Sequence, residues 1–194
     1  MPAHETAWQK ILAEIGINVD KLYFRIHEGE KAELTINNLL AEHGKTLPTE
    51  EQAMLIEKKR SLYKTIAPAG LIPEARKLID AAIKLGVKCN IVTGSIRNNM
   101  NSVLVSDEFE LFEHIITAEM YMNGKPFPDP YLMGLAKSGY SAENSIVLEN
   151  APMGIKSAKA AGLKTVAITS TLPPEYLKEA DEIIKEYQEL LKFL

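Results

Sequence analysis

From about residue 67 the sequence alternates between short apolar runs and helix-like segments, and this alternation leaves few folds open. The runs are "VKCNIVTGS", "HIITAE", "SIVLE", "KTVAI" and a short "EII". Between them lie helical patterns. In "IPEARKLIDAAIKLG", Ala75, Leu78, Ile79, Ala82 and Ile83 share one face, and Gly86 ends the helix. Further helices are expected near Arg97–Leu104, over Asp129–Lys137, over Pro152–Ala161 and at the C-terminus. Strands that are short, apolar on both faces and separated by helices are the buried strands of a parallel sheet. The fold class read from this is α/β, with a Rossmann-like parallel core.

Before Ala67 no strand-like alternation occurs. Trp8, Ile11, Leu12 and Ile15 fall on one face of a helix that stops before Gly16. A second helix is expected over Ala32–Glu42, closed by Gly44. "LPTEEQAMLIEKKRSLYKTI" supplies a third, in which Thr49 and Gln52 match a capping box and Glu50 and Glu51 suit the positive helix end. The expected organisation is an all-helical cap over residues 1–66 and an α/β core over residues 67–194.

Composition narrows the function classes. At 194 residues with 46% hydrophobic content, one good core and a smaller second one are within reach. The net charge of −4, with Lys and Arg scattered, argues against nucleic acid or an acidic membrane as partner. The one cysteine, Cys89, lies in an apolar run and reads as an inert thiol in a reducing compartment. "MPAHETAWQK" lacks the features of a signal peptide, and no apolar run is long enough to span a bilayer. A cytoplasmic monomer or homodimer is expected.

Polar residues at strand ends are the candidates for chemistry, because ligands of open parallel sheets bind there. In "IVTGS", Thr93 offers a hydroxyl, Gly94 lets backbone amides approach, and Ser95 either joins an anion cradle or caps the next helix. In "NGKPFPDP", Lys125 stands between Gly124 and Pro126, where its ammonium can be aimed at an anion, while Asp129 before Pro130 reads as a helix N-cap. In "VLENAPMGI", Glu149 and Asn150 end an apolar strand. They suit either a hard cation such as Mg²⁺, or capping by Asn150 with Glu149 on a lysine. His4, His27, His43 and His114 lack zinc-ligand spacing, and "HEGEK", His27–Lys31, is a polar loop between helices.

Taken in order, Thr93, Lys125 and Glu149–Asn150 resemble the haloacid dehalogenase superfamily, in particular its beta-phosphoglucomutase-like sugar phosphatases with a helical cap. "IVTGS" resembles motif two, "GKPFPDPYLMGLAKSG" motif three and "VLENAPMGIKSAKAAG" motif four, while "HEGEKAELTINNLL" is similar to the specificity loop and second cap helix. The resemblance implies a Mg²⁺-dependent phosphatase of a small phosphorylated metabolite, a sugar phosphate. Thr93, Gly94, Ser95 and Lys125 would hold the phosphoryl group and Glu149 and Asn150 the metal, with His4, His27 and Lys31 on the cap side of the substrate.

Two departures qualify the resemblance. Asn150 removes one charge from the metal site, so Mg²⁺ should bind weakly. The strand ending in Asp-x-Asp-Gly, which supplies the nucleophile and the centre of the sheet in relatives, is absent from the 194 residues, and no Asp-x-Asp occurs in them. This chain should therefore lack turnover. The expectation is a truncated phosphatase that is unstable, borrows a strand, or closes the gap by direct pairing of the motif-two and motif-four strands. The alternative is a non-catalytic relative that binds phosphate or a protein partner.

Overall fold

The structure, a computed structural model, describes residues Met1–Leu194. Four helices form its first third: α1 (Pro2–Glu14), α2 (Lys21–Ile26), α3 (Ala32–Glu42) and α4 (Thr49–Ile66). The apolar stripe read from the sequence is the one that α1 buries, and Trp8, Ile11 and Leu12 join Ile17, Phe24, Ile36, Leu39, Leu40, Leu55 and Ile56 in a single cluster. Helix α2 leaves no trace in the sequence pattern because its six residues are too few to show a period; the Asp20 carboxylate accepts from the Leu22 amide and starts it. The Thr49 capping box does not form. Pro48 takes the extended cap position, so Thr49 is already helical, and Gln52 donates from Nε2 to the Leu47 carbonyl at 3.0 Å.

The remainder alternates as expected: α5 (Pro73–Lys84), β1 (Asn90–Val92), α6 (Arg97–Val103), β2 (His114–Ile116), α7 (Asp129–Ser138), β3 (Ile146–Glu149), α8 (Pro152–Ala160), β4 (Lys164–Ile168) and β5 (Glu182–Ile184). The expected C-terminal helix is a run of 3-10 turns, Tyr187–Phe193, held at its start by the Glu189 carboxylate on the Lys185 and Glu186 amides. All strand pairs are parallel. No helix is long and apolar enough to cross a membrane.

The strands do not form one sheet. β1 pairs with β2, aligning Ile91 with Ile115, and β3 pairs with β4 and β4 with β5, aligning Leu148 with Val166 and Ala167 with Ile183. β1 and β3 leave their inner edges unpaired. The expected alternative of closing the sheet by direct β1–β3 pairing is not what happens: a cavity of about 970 Å³, which continues upward to His4 and Trp8, separates them, walled by Asn90 and Val92 on one side and Ile146 to Glu149 on the other. Asn90 Oδ1 is buried there without a hydrogen-bond partner. Cys89 also lines the gap, half-buried, with burial pushing its thiol pKa up.

Candidate active site

The C-terminal ends of β1 and β3 are joined across the gap by one side chain. Lys125 is 4% exposed and donates from Nζ to the Val92 carbonyl at 3.2 Å and to Glu149 Oε1 at 2.5 Å. The Tyr131 hydroxyl, from α7, donates to the same oxygen at 2.5 Å, and the Tyr131 ring lies 5.0 Å from the ammonium. Burial and then the Glu149 charge hold the Tyr131 phenol well above its ordinary pKa, so it stays a donor. Glu149 Oε2 accepts from the Asn150 amide at 3.1 Å. A Cβ at Gly154 would overlap the Glu149 carboxylate, so only glycine there lets α8 pack over it.

Thr93 follows β1 directly. Its amide donates to the Ile116 carbonyl at 3.0 Å, its carbonyl accepts from the Tyr121 hydroxyl at 2.7 Å, and its Oγ1 accepts from the Ser95 amide at 3.1 Å. The Gly94 amide enters no backbone bond and remains free for an anion. Ser95 is not the cap of α6: Ile96 holds that position, and the Glu119 carboxylate accepts from the Arg97 amide at 3.0 and 3.2 Å. Asp129 is likewise not a cap, since Pro128 precedes the helix. Its Oδ1 instead accepts from the Asn123 side chain at 2.9 Å and so braces the loop that carries Lys125. Asn150 caps nothing either; Ala151 does, and Asn150 turns to the helical part.

That part covers the site through residues 27–31. Gly29, at φ +92°, lies against the Lys125 side chain, and its carbonyl packs on the Gly94 α-carbon, so a side chain at either glycine would collide. Glu28 Oε2 accepts from Asn150 Nδ2 at 2.6 Å, and the same Nδ2 donates to Thr171 Oγ1 at 2.9 Å. Burial pushes the Glu28 carboxyl up to about 7. His4 and His27 line the cavity. Lys31 does not: its Nζ donates to the Tyr121 and Met122 carbonyls at 2.7 and 2.9 Å and fastens the loop to the core backbone. Sequence reasoning missed Glu28, Lys59 and Tyr131. Lys59 was findable, because it sits with Leu55, Ile56 and Tyr63 on the buried stripe of α4.

Thr93, Gly94, Lys125, Glu149 and Asn150 thus converge, as the strand-end argument required. They suit an anion better than a cation. Glu149 spends both oxygens on Lys125, Tyr131 and a backbone amide, and Asn150 presents its amide nitrogen to Glu28 and Thr171. No three acidic, His or Cys side chains are gathered as a metal site. As arranged, these residues do not by themselves fit Mg²⁺, which wants several oxygens with formal charge. Titration calorimetry of the chain with Mg²⁺ is expected to give no binding tighter than roughly millimolar; micromolar binding would contradict this.

Parallel α/β cores bind ligands at the ends of their strands, and here those ends meet on a buried lysine beneath a helical cover. The chain belongs to the haloacid dehalogenase-like hydrolase family, whose model matches residues 3–168. It is 32% identical over 117 residues to validoxylamine A 7'-phosphate phosphatase of Streptomyces hygroscopicus subsp. limoneus, covering 60% of this chain and 55% of that one. It is 25% identical over 193 residues to hexitol phosphatase A of Escherichia coli (strain K12), covering 98% of this chain and 86% of that enzyme. The chain therefore spans little more than half the length of the first relative. In fold it matches beta-phosphoglucomutase from Clostridium difficile, with a TM-score of 0.84 at 23% identity over 97% of this chain and 85% of that one. It also matches CbbY from Rhodobacter sphaeroides, with a TM-score of 0.82 at 21% identity over 97% and 89%.

Proposed function

We propose that these residues belong to the cap and core of a phosphatase that acts on a small phosphorylated metabolite, a sugar phosphate. The observation that carries this reading is Lys125, buried at the ends of both β1 and β3 and close to the Thr93–Gly94 turn. Its charge neutralises a phosphoryl group held by the Thr93 hydroxyl and the Gly94 amide. Residues 1–66 act as a cap domain, and the 27–31 loop excludes water above the site. A metal would need ligands beyond Glu149 and Asn150, carboxylates above all, since these two are committed to Lys125, Tyr131, Glu28 and Thr171.

Covalent phosphoryl transfer also needs a nucleophile, and Glu149 and Glu28, the carboxylates bonded to Lys125 and Asn150, are both held in those bonds. The 194-residue chain is therefore expected to bind inorganic phosphate and to release none from small phosphomonoesters. Lys125→Ala should weaken phosphate binding at least about tenfold, the worth of one charge-assisted hydrogen bond. Unchanged binding in Lys125→Ala would sink the cradle, and steady phosphate release that Lys125→Ala abolishes would show that a nucleophile is present. The second reading, a phosphate-binding relative without turnover, is favoured by Asn150, whose amide is committed to Glu28 and Thr171.

A further inference from the structure

The loop that carries Lys125 also holds a reactive pair that the phosphate site does not use. Asn123–Gly124 is the one place in the chain where glycine follows an asparagine. Asn123 is exposed, between β2 and α7. Its backbone amide and its Nδ2 both donate to Asp129 Oδ1, at 3.3 and 2.9 Å. The Gly124 amide enters no hydrogen bond. Gly124 itself is packed against the cap, since a Cβ there would lie 2.9 Å from Lys31 Cγ. The Lys31 ammonium is held by the Tyr121 and Met122 carbonyls, just ahead of Asn123. Two devices thus meet at this pair: the clasp that fastens the 27–31 loop to the core, and the brace that sets the loop of Lys125.

A glycine has no Cβ to keep its amide from the preceding side chain, and an amide without a hydrogen bond is free to give up its proton to hydroxide. We propose that Asn123–Gly124 is a self-modification site that loses ammonia to become aspartate or isoaspartate, and that this change opens the Lys31 clasp. The deprotonated Gly124 nitrogen attacks Asn123 Cγ, the Cγ–Nδ2 bond breaks, and Nδ2 takes a proton from water and leaves as ammonia. Water then opens the resulting succinimide. Opening at Cγ gives aspartate, and opening at the main-chain carbonyl gives isoaspartate, whose main chain is one carbon longer. One asparagine and one water thus give one acid and one ammonia, with no oxidant or reductant. Either product sets a carboxylate where Nδ2 donated to Asp129, and the two like charges repel. The brace is lost, and the neighbouring carbonyls that hold Lys31 move with it.

The test ages the whole chain at pH 8, separates the more acidic form by ion exchange and maps it by peptide mass spectrometry. Asn123 should convert before any other asparagine, and faster as the pH is raised. In the acidic form Lys31 should be acetylated at least about fivefold faster than in the unaged chain, the worth of one hydrogen bond. Asn123→Ser, which has no amide to lose and keeps a donor for Asp129, should form no such species and keep Lys31 slow. Asn123 left intact while other asparagines convert, or conversion at Asn123 with Lys31 acetylated no faster, would overturn the proposal. Inorganic phosphate supplies a further readout, which rests on the phosphatase reading: the acidic form should bind it at least about tenfold more weakly, because the loop that aims Lys125 is no longer braced. Failure of the unaged chain to bind phosphate would count against that reading alone, whereas equal binding by the two forms would break the link from Asn123 to Lys125.

Discussion

A segment of about five apolar residues followed by Asp-x-Asp-Gly and a short linker, fused ahead of Met1, is expected to raise the melting temperature by about 10 °C and to bring Mg²⁺-dependent phosphatase activity. The stability gain follows from the gap. β1 and β3 present unpaired edges to a cavity of about 970 Å³ lined by Val92, Ile146, Val147 and Leu148, and Asn90 Oδ1 is orphaned in it. A strand inserted parallel to both completes two ladders and buries several side chains worth ~1.5–3 kcal/mol each. For a domain of this size ~1 kcal/mol moves the melting temperature about 2–4 °C. The activity follows from the same placement, since the strand's C-terminal end would lie between Thr93 and Lys125 and bring a carboxylate to attack phosphorus. Replacing that first aspartate by asparagine should abolish turnover and keep the added stability. A fusion that is more stable yet inert on a broad panel of sugar phosphates would decide for the binding-only reading. One with an unchanged melting temperature would show that the gap does not accept a strand.

Glu149→Ala is expected to destabilise the chain by about 3–5 kcal/mol, read as a shift of the urea midpoint at unchanged slope. Its carboxylate is 8% exposed and is the counter-charge for the equally buried Lys125, so removing it strands an ammonium and a phenol hydroxyl in the interior. Glu149→Gln should cost less, because its amide oxygen still accepts from Tyr131. The double change Lys125→Met with Glu149→Leu should recover much of the loss, as removing both charges relieves their burial. Gly154→Ala should behave like Glu149→Ala, since the added methyl needs the space of the carboxylate. A urea midpoint for Glu149→Ala within error of the unsubstituted chain would mean that the pair is solvated in solution and that the site is looser than its geometry.

Helix–strand alternation was legible because buried parallel strands are apolar on both faces and helices show their period over three or more turns. α5, α7 and α8 were read within one or two residues of their ends, and β1 to β5 at their places. Helix caps were read less well. Thr49, Asp129, Ser95 and Asn150 all carry the right side chain for a cap, and in each case a neighbour took the position. A cap is decided by the dihedrals of one residue, which composition does not fix.

The sequence by itself determined the α/β class, the helical first third, that Thr93 and Glu149–Asn150 stand at strand ends, and that Lys125 stands in a proline-rich loop before a helix. Each of these depends on periodicity or on residue type next to an apolar run. Tertiary structure alone decided which partners those residues take. Lys125 answers Glu149 across 24 positions, and Asn150 answers Glu28 across 122. It also decided that Lys59, one of three lysines in α4, is the one buried without a counter-charge. Electrostatic environment is a property of what packs around a group, and residues distant in sequence supply it.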